Sequence, residues 1–214
     1  TDLRKTLARP HPEDRRAGEI STLLAEALPP GFLTLIHHVG EVAGELQMGL
    51  FVVGGFVRDL LLGVPNTDID FVVEGDAIRL TRALSARFGG ETRSHGRFGT
   101  GKWLLNRDTW ERVVGPGDHN GSLPSHIDFA TARTEFYDEP TVLPEVERSS
   151  IKHDLHRRDF TINTLAIALN PHNFGQLIDF YNGEADLRAG RIRVLHSLSF
   201  IDDPTRIMRA VRFE

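Results

Sequence analysis

The stretch FVVGGFVRDLLLGVPNTDIDFVV, residues 51–73, limits most strongly how this chain can fold. An apolar run ends at Gly54-Gly55, a short segment with helical spacing follows, and a second apolar run ends at Val73. Apolar runs of about four to eight residues bounded by turn residues are typical of buried strands. The stretch therefore predicts a strand over residues 50–53, a glycine turn, a helix over 57–62 and a second strand over 68–73.

Apolar spacing along the rest of the chain predicts alternating helices and strands, which is typical of an α/β protein. Helices are predicted over residues 33–46, 77–88, 150–157 and 160–169 and from 204 onward, and strands over 99–105, 126–131, 177–179 and 192–194. Two segments, residues 1–20 and the polar stretch 135–147, show neither period. We therefore expect a linker or a frayed segment at the N-terminal end and a long loop inside the domain.

Composition excludes several classes of protein. The 214 residues include no Cys, which excludes a disulfide scaffold, a thiolate zinc site and a cysteine nucleophile. The apolar runs fall far short of the roughly 20 residues that a membrane span needs, and the first residues do not resemble a signal peptide, so we expect a cytoplasmic protein. The net charge of -5 argues against a strongly basic surface, so that a polynucleotide would be held mainly by the arginine-rich residues 148–214.

Three carboxylates are candidates for a metal centre. Alternation along a strand would point Asp68 and Asp70 to one face beside the glycine turn, and hard divalent cations relieve the repulsion of such a pair. Asp128 points outward from another predicted strand. If the two strands are neighbours, the three aspartates converge as a two-metal phosphoryl-transfer centre requires. A solvated Asp pair at the start of a strand is the alternative.

The glycine turn is a candidate phosphate site. The helix that follows Gly54-Gly55 begins with free backbone N–H groups and the positive end of its dipole, and Arg58 lies on its first turn. A tight strand-to-helix turn without a ligand would also explain both glycines.

Four motifs in this order resemble one family. They are the glycine pair with Arg58-Asp59, the Asp68/Asp70 pair, RRDFTIN over residues 157–163 and DDPTRIMRAVRF over 202–213. Together they resemble the class II tRNA nucleotidyltransferases, the CCA-adding enzymes with their bacterial poly(A) polymerase relatives. The resemblance implies an α/β nucleotidyltransferase head of the polymerase beta type. Its mixed sheet of about five strands, with helices on one face, would span residues 32–195, after a linker over 1–31 and before the start of an all-helical neck over 196–214.

The resemblance assigns the metal and the triphosphate to the first two motifs. Asp68 and Asp70 would be ligands of Mg²⁺, and Asp128 would be the third catalytic carboxylate, which helps to deprotonate the primer hydroxyl. The residues that would hold the triphosphate are Gly54, Gly55 and Arg58.

The other two motifs would recognise the rest of the nucleotide. Arg158 would contact phosphate, Asp159 would recognise the ribose hydroxyl, and Asn163 would complete the pocket. Asp203 and Arg206 would read the Watson–Crick edge of the incoming base, since Arg offers a fixed fork of donors and Asp offers acceptors. A surface salt bridge in the first turn of a helix is the alternative for this last pair.

The function implied is template-independent addition of the 3′-terminal A to tRNA from ATP, with release of pyrophosphate. The phrases VVEGDAI, TARTEFYDEP, LPEVERSSIKHDL and LHSLSFIDDPTR are most similar to the large bacterial members that carry upstream DHH and CBS domains and add only this A. The implied partners are the tRNA 3′ end, ATP or CTP, and further domains of the same chain. A full CCA-adding enzyme, a poly(A) polymerase and a non-catalytic nucleotide-binding module remain alternatives, although the carboxylate trio argues against the last.

Overall fold

The described residues form a mixed sheet with helices on both of its faces. The computed structural model describes residues 12–116, 124–136 and 145–213. Its helices are α1 (Pro12–Ala27), α2 (Pro30–Glu45), α3 (Gly55–Leu62), α4 (Ala77–Phe88), α5 (Arg107–Val114), α6 (Ile151–His156), α7 (Gly183–Arg188), α8 (Ser199–Asp202) and α9 (Thr205–Phe213). Its strands are β1 (Gly49–Val53), β2 (Asp70–Glu74), β3 (Glu91–His95), β4 (Thr100–Leu104), β5 (His126–Thr131), β6 (Arg133–Phe136), β7 (Glu145–Arg148), β8 (Ala166–Ala168) and β9 (Leu177–Ile178). None of these helices is both long and apolar enough to cross a membrane.

The main sheet has seven strands in the order β3-β4-β5-β2-β1-β8-β9, whereas β6 and β7 pair with each other. β2 and β5 run parallel, and the other neighbouring pairs run antiparallel. The expectation of a mixed sheet is confirmed, but about five strands was too few. β3 was not predicted because all five of its residues are exposed at the edge of the sheet, so apolar residues do not alternate with polar ones there.

Alternate residues of β1 pack on opposite sides of the sheet. Leu50 and Val52 lie in a large apolar core with α2, α3 and α4, whereas Phe51 and Val53 lie in a smaller core with α6. Helices therefore cover both faces, and the expectation of helices on one face is wrong. Leu155 of α6 is fully buried, so its replacement by Ala would cost about 2–5 kcal/mol of folding free energy.

Residues 12–27 form α1 rather than part of a linker. Ile20, Leu24 and Leu28 recur about once per helical turn and are buried in the larger core. This stripe is visible only when the residues on both sides of Ile20 are taken together, which is why residues 1–20 alone showed no period. Residues 1–11 lie outside the described residues, and the domain boundaries after residues 31 and 195 stay predictions.

Residues 160–169 do not form the predicted helix. Thr161–Asn163 form a 3₁₀ turn, and Ala166–Ala168 form β8. β8 lies between β1 and β9 and is buried on both faces, so that its apolar run shows no two-residue alternation. The predicted strand over residues 192–194 is reduced to a single bridge between Val194 and Phe160.

The polar stretch over residues 135–147 falls only partly on the described residues. Residues 135 and 136 end β6, and residues 145–147 lie in β7. Residues 137–144 lie outside the described residues, so the long loop expected there stays a prediction.

Candidate active site

Strand register places the glycine turn beside the predicted carboxylates. Val53, which ends β1, pairs with Asp70, which begins β2. The register of the parallel pair β2 and β5 places Asp128 level with Asp70 on the neighbouring strand, as expected. Because Gly54 follows Val53 directly, the turn and these aspartates meet at one end of the sheet.

A polar cleft of about 690 Å³ opens at this end of the sheet. One side, named here the carboxylate wall, is formed by residues 55–70, and the other, the arginine wall, by residues 157–163 and 203–213. The lining residues are Gly55, Arg58, Asp59, Asn66, Asp68, Asp70, Arg157, Arg158, Asp159, Asn163, Asp203, Thr205, Arg206, Arg209, Arg212 and Phe213. Most of the site residues predicted from the sequence therefore share one cleft. Gly54 and Asp128 are the exceptions.

Asp68 and Asp70 reach the cleft from different local structures. Asp70 begins β2, but Asp68 lies in the preceding loop, so the predicted strand start at Asp68 is wrong because β1, its partner strand, has already ended. The backbone N–H of Asp68 donates to Asn66 Oδ1 at 2.8 Å. Partial burial raises the pKa of Asp70, Arg158 lowers it, and Asp68 and Asp128 raise it again. A cation bound between the two carboxylates would offset the repulsion that disfavours the ionised form of Asp70.

Asp128 forms ion pairs outside the cleft. Its Oδ2 lies 3.2 Å from Lys102 Nζ and 3.3 Å from His126 Nε2. Within the described ranges, no group of three or more His, Cys, Asp or Glu side chains is placed to hold a metal ion. The expected convergence of three aspartates on one metal site is therefore not observed, and the catalytic role of Asp128 stays a prediction.

The two glycines of the turn serve different purposes. Gly54 precedes α3 with φ of 73°, and a Cβ added there would lie 2.5 Å from Arg158 Nη1. A Cβ on Gly55 would meet only Arg58 Nη2, at the ordinary distance of 3.7 Å. Gly54 is thus required both by its backbone conformation and by the close approach of Arg158.

Arg158 brings a positive charge to the cleft beside the glycine turn. Burial lowers the pKa of its guanidinium, while the carboxylates of Asp154 and Asp70 raise it. Its Nη2 lies 3.5 Å from the buried Asp154 Oδ2, and its Nε donates to no described residue. A guanidinium stays protonated under these conditions, so Arg158 offers an anion both charge and an unused donor.

Asp159 is held by three donors. Its Oδ1 accepts from Asn163 Nδ2 and from the Phe160 N–H, both at 2.9 Å, and its Oδ2 accepts from Arg209 Nε at 2.7 Å. Burial alone would raise the pKa of Asp159, but the hydrogen bonds from Asn163, Arg209 and Phe160 together lower it. A carboxylate has about four lone-pair positions, so room remains for one further donor, such as a ribose hydroxyl.

Arg58 is engaged within the protein. Its Nη1 donates to Asn163 Oδ1 and its Nε to Asp59 Oδ1, both at 2.8 Å. Its guanidinium also lies over the ring of Phe213, 4.9 Å from the centroid. Arg58 therefore connects the two walls and contributes a positive charge to the cleft from a fixed position.

Asp203 and Arg206 lie next to each other on the arginine wall. Asp203 Oδ2 and Arg206 Nε are 3.8 Å apart, too far for a hydrogen bond, so the pair is not a tight surface salt bridge. Asp203 Oδ1 accepts from Thr205, and Arg206 donates to Ser199 Oγ and, at 3.0 Å, to the carbonyl of Arg157. Both side chains therefore keep polar atoms that a base edge could meet.

Other residues that line the cleft were not predicted as site residues, among them Asp59, Asn66, Arg209, Arg212 and Phe213. Helical spacing in the last motif places Arg206, Arg209 and Phe213 on one face of α9, so this signal was present in the sequence. No pattern points to Asn66, because its contacts depend on how the loop before β2 folds back on α3.

The mixed sheet carries paired aspartates beside a glycine turn, and arginines lie opposite them. This arrangement is the architecture of a nucleotidyltransferase head. The family model described as the Poly A polymerase head domain matches residues 50–193 of this chain. The chain therefore belongs to the Poly A polymerase head domain family.

Curated relatives confirm the resemblance expected from the motifs. The chain is 45% identical over 199 residues to an A-adding tRNA nucleotidyltransferase of Geobacter sulfurreducens, covering 93% of this chain and 21% of the relative. It is 41% identical over 203 residues to an A-adding tRNA nucleotidyltransferase of Halalkalibacterium halodurans, covering 95% of this chain and 44% of the relative. The chain thus spans less than half the length of both relatives.

Solved structures agree with the fold. An apo form of a CCA-adding enzyme superposes with a TM-score of 0.78 at 49% identity, over 91% of this chain and 42% of that chain. A complex of a CCA-adding enzyme with ATP superposes with a TM-score of 0.72 at 47% identity, over 91% of this chain and 40% of that chain. At these identities the likeness extends beyond the fold to the family.

Proposed function

We propose that this chain adds the 3′-terminal A to tRNA that ends in CC. The 3′-hydroxyl of the tRNA would attack the α-phosphate of ATP, form the new phosphodiester bond and release pyrophosphate. The observation that carries the proposal is the shared cleft, in which Asp68 and Asp70 face Arg158 and the pair Asp203 and Arg206. Its volume of about 690 Å³ lies in the range of small-molecule sites. The names of the two A-adding relatives support A as the nucleotide added.

We propose Mg²⁺ as the cofactor, held by Asp68 and Asp70. The family in general uses a divalent metal ion. Two carboxylates suit Mg²⁺, which is usually bound by one or two protein carboxylates and completes its shell with substrate phosphates and water. The raised pKa of Asp70 fits a site where a positive charge is expected. When bound, the ion would supply positive charge that favours the alkoxide form of the primer 3′-hydroxyl and neutralises the pyrophosphate.

The protein's own groups would hold the nucleotide from both walls. Arg158 would bind the triphosphate beside the glycine turn, where Gly54 leaves it room and Gly55 begins α3. Arg58, fixed by Asn163, would add a second positive charge. Asp128 would help to deprotonate the primer hydroxyl from the neighbouring strand. Such fixed charges stabilise a phosphoryl-transfer transition state without reorganising during the reaction.

The arginine wall would recognise the ribose and the base. Asp159 would accept a hydrogen bond from the ribose hydroxyl through its remaining lone pair, and Asn163 would keep Asp159 in place. Asp203 and Arg206 would present an acceptor and donors to the Watson–Crick edge of adenine. A base that left these groups unpaired in a partly dry site would bind less well.

We assign residues 32–195 to the head and residues 196–214 to the start of a helical neck. The buried apolar stripe of α1 supports assigning residues 12–27 to the head as well. The tRNA 3′ end would be the macromolecular partner, further domains of the chain would bind the rest of the tRNA, and a tRNA-processing role implies the cytoplasm.

A full CCA-adding enzyme is the second candidate. The solved structures that superpose on this chain carry that name, and one of them was determined in complex with CTP at 46% identity. The cleft residues alone do not separate the two activities, because Asp203 and Arg206 can face either base.

Labelled ATP tests the proposal directly. The full chain, supplied with Mg²⁺ and a tRNA that ends in CC, is expected to incorporate one A per tRNA. The Asp70→Ala variant is expected to incorporate none, because a metal ligand is lost. No incorporation by the unsubstituted chain, or full activity in Asp70→Ala, would contradict the assignment.

A further inference from the structure

A continuous chain of hydrogen bonds crosses the cleft from α9 to the loop before β2. It links side chains of both walls and ends on the backbone of Asp68. The bonds are Arg209 Nε to Asp159 Oδ2 (2.7 Å), Asn163 Nδ2 to Asp159 Oδ1 (2.9 Å), Arg58 Nη1 to Asn163 Oδ1 (2.8 Å), Arg58 Nε to Asp59 Oδ1 (2.8 Å), Asn66 Nδ2 to Asp59 Oδ2 (2.7 Å) and the Asp68 N–H to Asn66 Oδ1 (2.8 Å).

The side-chain amides of Asn66 and Asn163 in this series of hydrogen bonds each have one possible orientation. Asn66 faces a carboxylate with its NH₂ group and a backbone N–H with its oxygen. Asn163 faces a carboxylate with its NH₂ group and a guanidinium with its oxygen. A flipped amide would place donor against donor and acceptor against acceptor at both ends, so the neighbours fix each amide.

Asn66 connects this series of hydrogen bonds to the loop before β2. Residues 64–69 form neither helix nor strand, and Asp68 lies exposed within them. Among the described residues, Asn66 is the hydrogen-bond partner of Asp68, and Asp59 on α3 in turn anchors Asn66. Asp59 is itself fixed by Arg58, whose Nη2 lies 2.7 Å from Asp59 Oδ1. Asn66 therefore links the backbone of Asp68 to α3, in addition to the bond from the Val64 N–H to the Asp59 carbonyl at 2.9 Å.

We propose that Asn66 is a positioning residue, which sets the backbone at Asp68 so that its carboxylate shares a metal ion with Asp70. The inference rests on the proposed metal site of the cleft. Asn66 would not touch the ion, and it would act through the hydrogen bond that it accepts from Asp68. Outer-shell partners of this kind typically change metal affinity by about 10- to 100-fold when they are lost.

Mn²⁺ affinity, measured by electron paramagnetic resonance in the absence of tRNA, tests this role without depending on turnover. We expect Asn66→Ala in the full chain to weaken Mn²⁺ binding by about 10- to 100-fold, with an unchanged circular dichroism spectrum. We also expect excess Mg²⁺ to restore most of kcat, because the ligands themselves remain. Thr67→Ala is the matched control, since Thr67 is the exposed neighbour in the same loop, and its Mn²⁺ affinity should equal that of the unsubstituted chain.

A reversal of the Asp59 and Asn66 pair tests the hydrogen bond itself. Asn66→Asp alone would place two carboxylates against each other and should weaken Mn²⁺ binding as Asn66→Ala does. In Asp59→Asn combined with Asn66→Asp, the amide at 59 would donate to the carboxylate at 66, which would still accept from the Asp68 N–H. We expect this double variant to bind Mn²⁺ more tightly than Asn66→Asp, which is non-additive behaviour that a general folding defect would not produce.

Two outcomes overturn the inference. One is a folded Asn66→Ala variant with unchanged Mn²⁺ affinity, and the other is a double variant that binds Mn²⁺ no better than Asn66→Asp. If the unsubstituted chain adds no nucleotide to any tRNA, the proposed function fails instead. The comparison of Mn²⁺ affinities still decides the role of Asn66 in that case.

Discussion

The two walls of the cleft are attached to the sheet in different ways. The carboxylate wall is one continuous segment, and the register of β1 with β2 fixes both of its ends. The arginine wall combines two segments that are distant in the sequence, and α9 reaches it through polar contacts such as Arg209 with Asp159 at 2.7 Å. We therefore expect the carboxylate wall to keep the geometry of the chemical step, whereas the arginine wall adjusts to the nucleotide.

The two walls also differ in how deeply their elements are buried. The strands beside the carboxylate wall lie in the apolar core, whereas α9 has no buried residue among those described. Its apolar residues Ile207, Met208 and Val211 are 51%, 73% and 64% exposed. Within the described residues α9 therefore buries little apolar surface, and the contacts that attach it include Arg209 with Asp159, Arg206 with the Arg157 carbonyl and Phe213 with Arg58 and Phe160.

The largest expected effect comes from Asp70→Asn on the carboxylate wall. Loss of the charged ligand should lower nucleotide transfer by about 1000-fold or more, since metal ions contribute several kcal/mol to such transition states. The free energy of unfolding without metal should rise, because the raised pKa of Asp70 shows that the fold disfavours its charge. This gain should be largest above the folded pKa of Asp70 and should disappear as the pH falls below its unfolded value of 3.8.

Chemical denaturation of both proteins across this pH range, without divalent ions, measures the difference. A variant that is less stable than the unsubstituted chain at neutral pH would show that Asp70 stabilises the fold, contrary to the pKa argument.

The paired glycines give the next largest effect. Gly54→Ala forces a non-glycine residue to a positive φ, at a cost of about 1–3 kcal/mol, and its Cβ would displace Arg158. We expect the KM for ATP to rise by about tenfold or more, which corresponds to roughly 1.4 kcal/mol. Gly55→Ala is the matched control and should change the KM by less than about threefold. Equal KM values for ATP in the two variants would indicate that Arg158 does not bind the triphosphate.

Asp159→Ala tests the arginine wall. If Asp159 recognises the ribose hydroxyl, its loss should reduce the preference for ATP over dATP by about tenfold or more. Asp159 also accepts three hydrogen bonds within the protein, which would be explained equally by a structural role. The ratio of kcat/KM for the two nucleotides distinguishes these roles, because a purely structural loss would lower both values and leave the ratio unchanged.

The smallest effect concerns the attachment of α9. Arg209 is half exposed, so Arg209→Ala should cost only about 1 kcal/mol of folding free energy at neutral pH. Because the pKa of Asp159 is lowered in the fold, this contribution is present above its unfolded pKa and is lost as the pH falls through the folded pKa. Arg212→Ala, on the same helix, should change stability by less than about 0.5 kcal/mol in urea denaturation. A larger cost for Arg212→Ala would indicate that another part of α9 holds it.

The sequence predicted the carboxylate wall better than the arginine wall. Apolar runs and glycines are local signals, and they located β1, α3 and β2 to within about two residues. Predicting β8 required knowledge of its neighbours, since its three residues are buried on both faces. The motif over residues 202–213 indicated the residues of α9. It did not indicate that Arg209 would bind Asp159 or that Phe213 would cover Arg58.

Contacts between distant segments also explain the two main departures at the site. Asp128 was expected to converge with Asp68 and Asp70 if its strand neighbours β2. The strands are neighbours, but the carboxylate of Asp128 pairs with Lys102 and His126. Asn66 was missed because an asparagine in a loop has many possible partners. Only the folded positions of Asp59 and Asp68 select the pair that it binds.

The most direct test is the choice of nucleotide on two tRNA substrates, one ending in CC and one lacking all three terminal residues. Each is incubated with the full chain, Mg²⁺ and either ATP or CTP, and the products are sequenced. We expect one A on the tRNA that ends in CC, and scarcely any extension of either substrate from CTP. Efficient addition of two C residues to the shorter tRNA would contradict A-specific addition and establish a full CCA-adding activity, while a long A tail would establish a poly(A) polymerase.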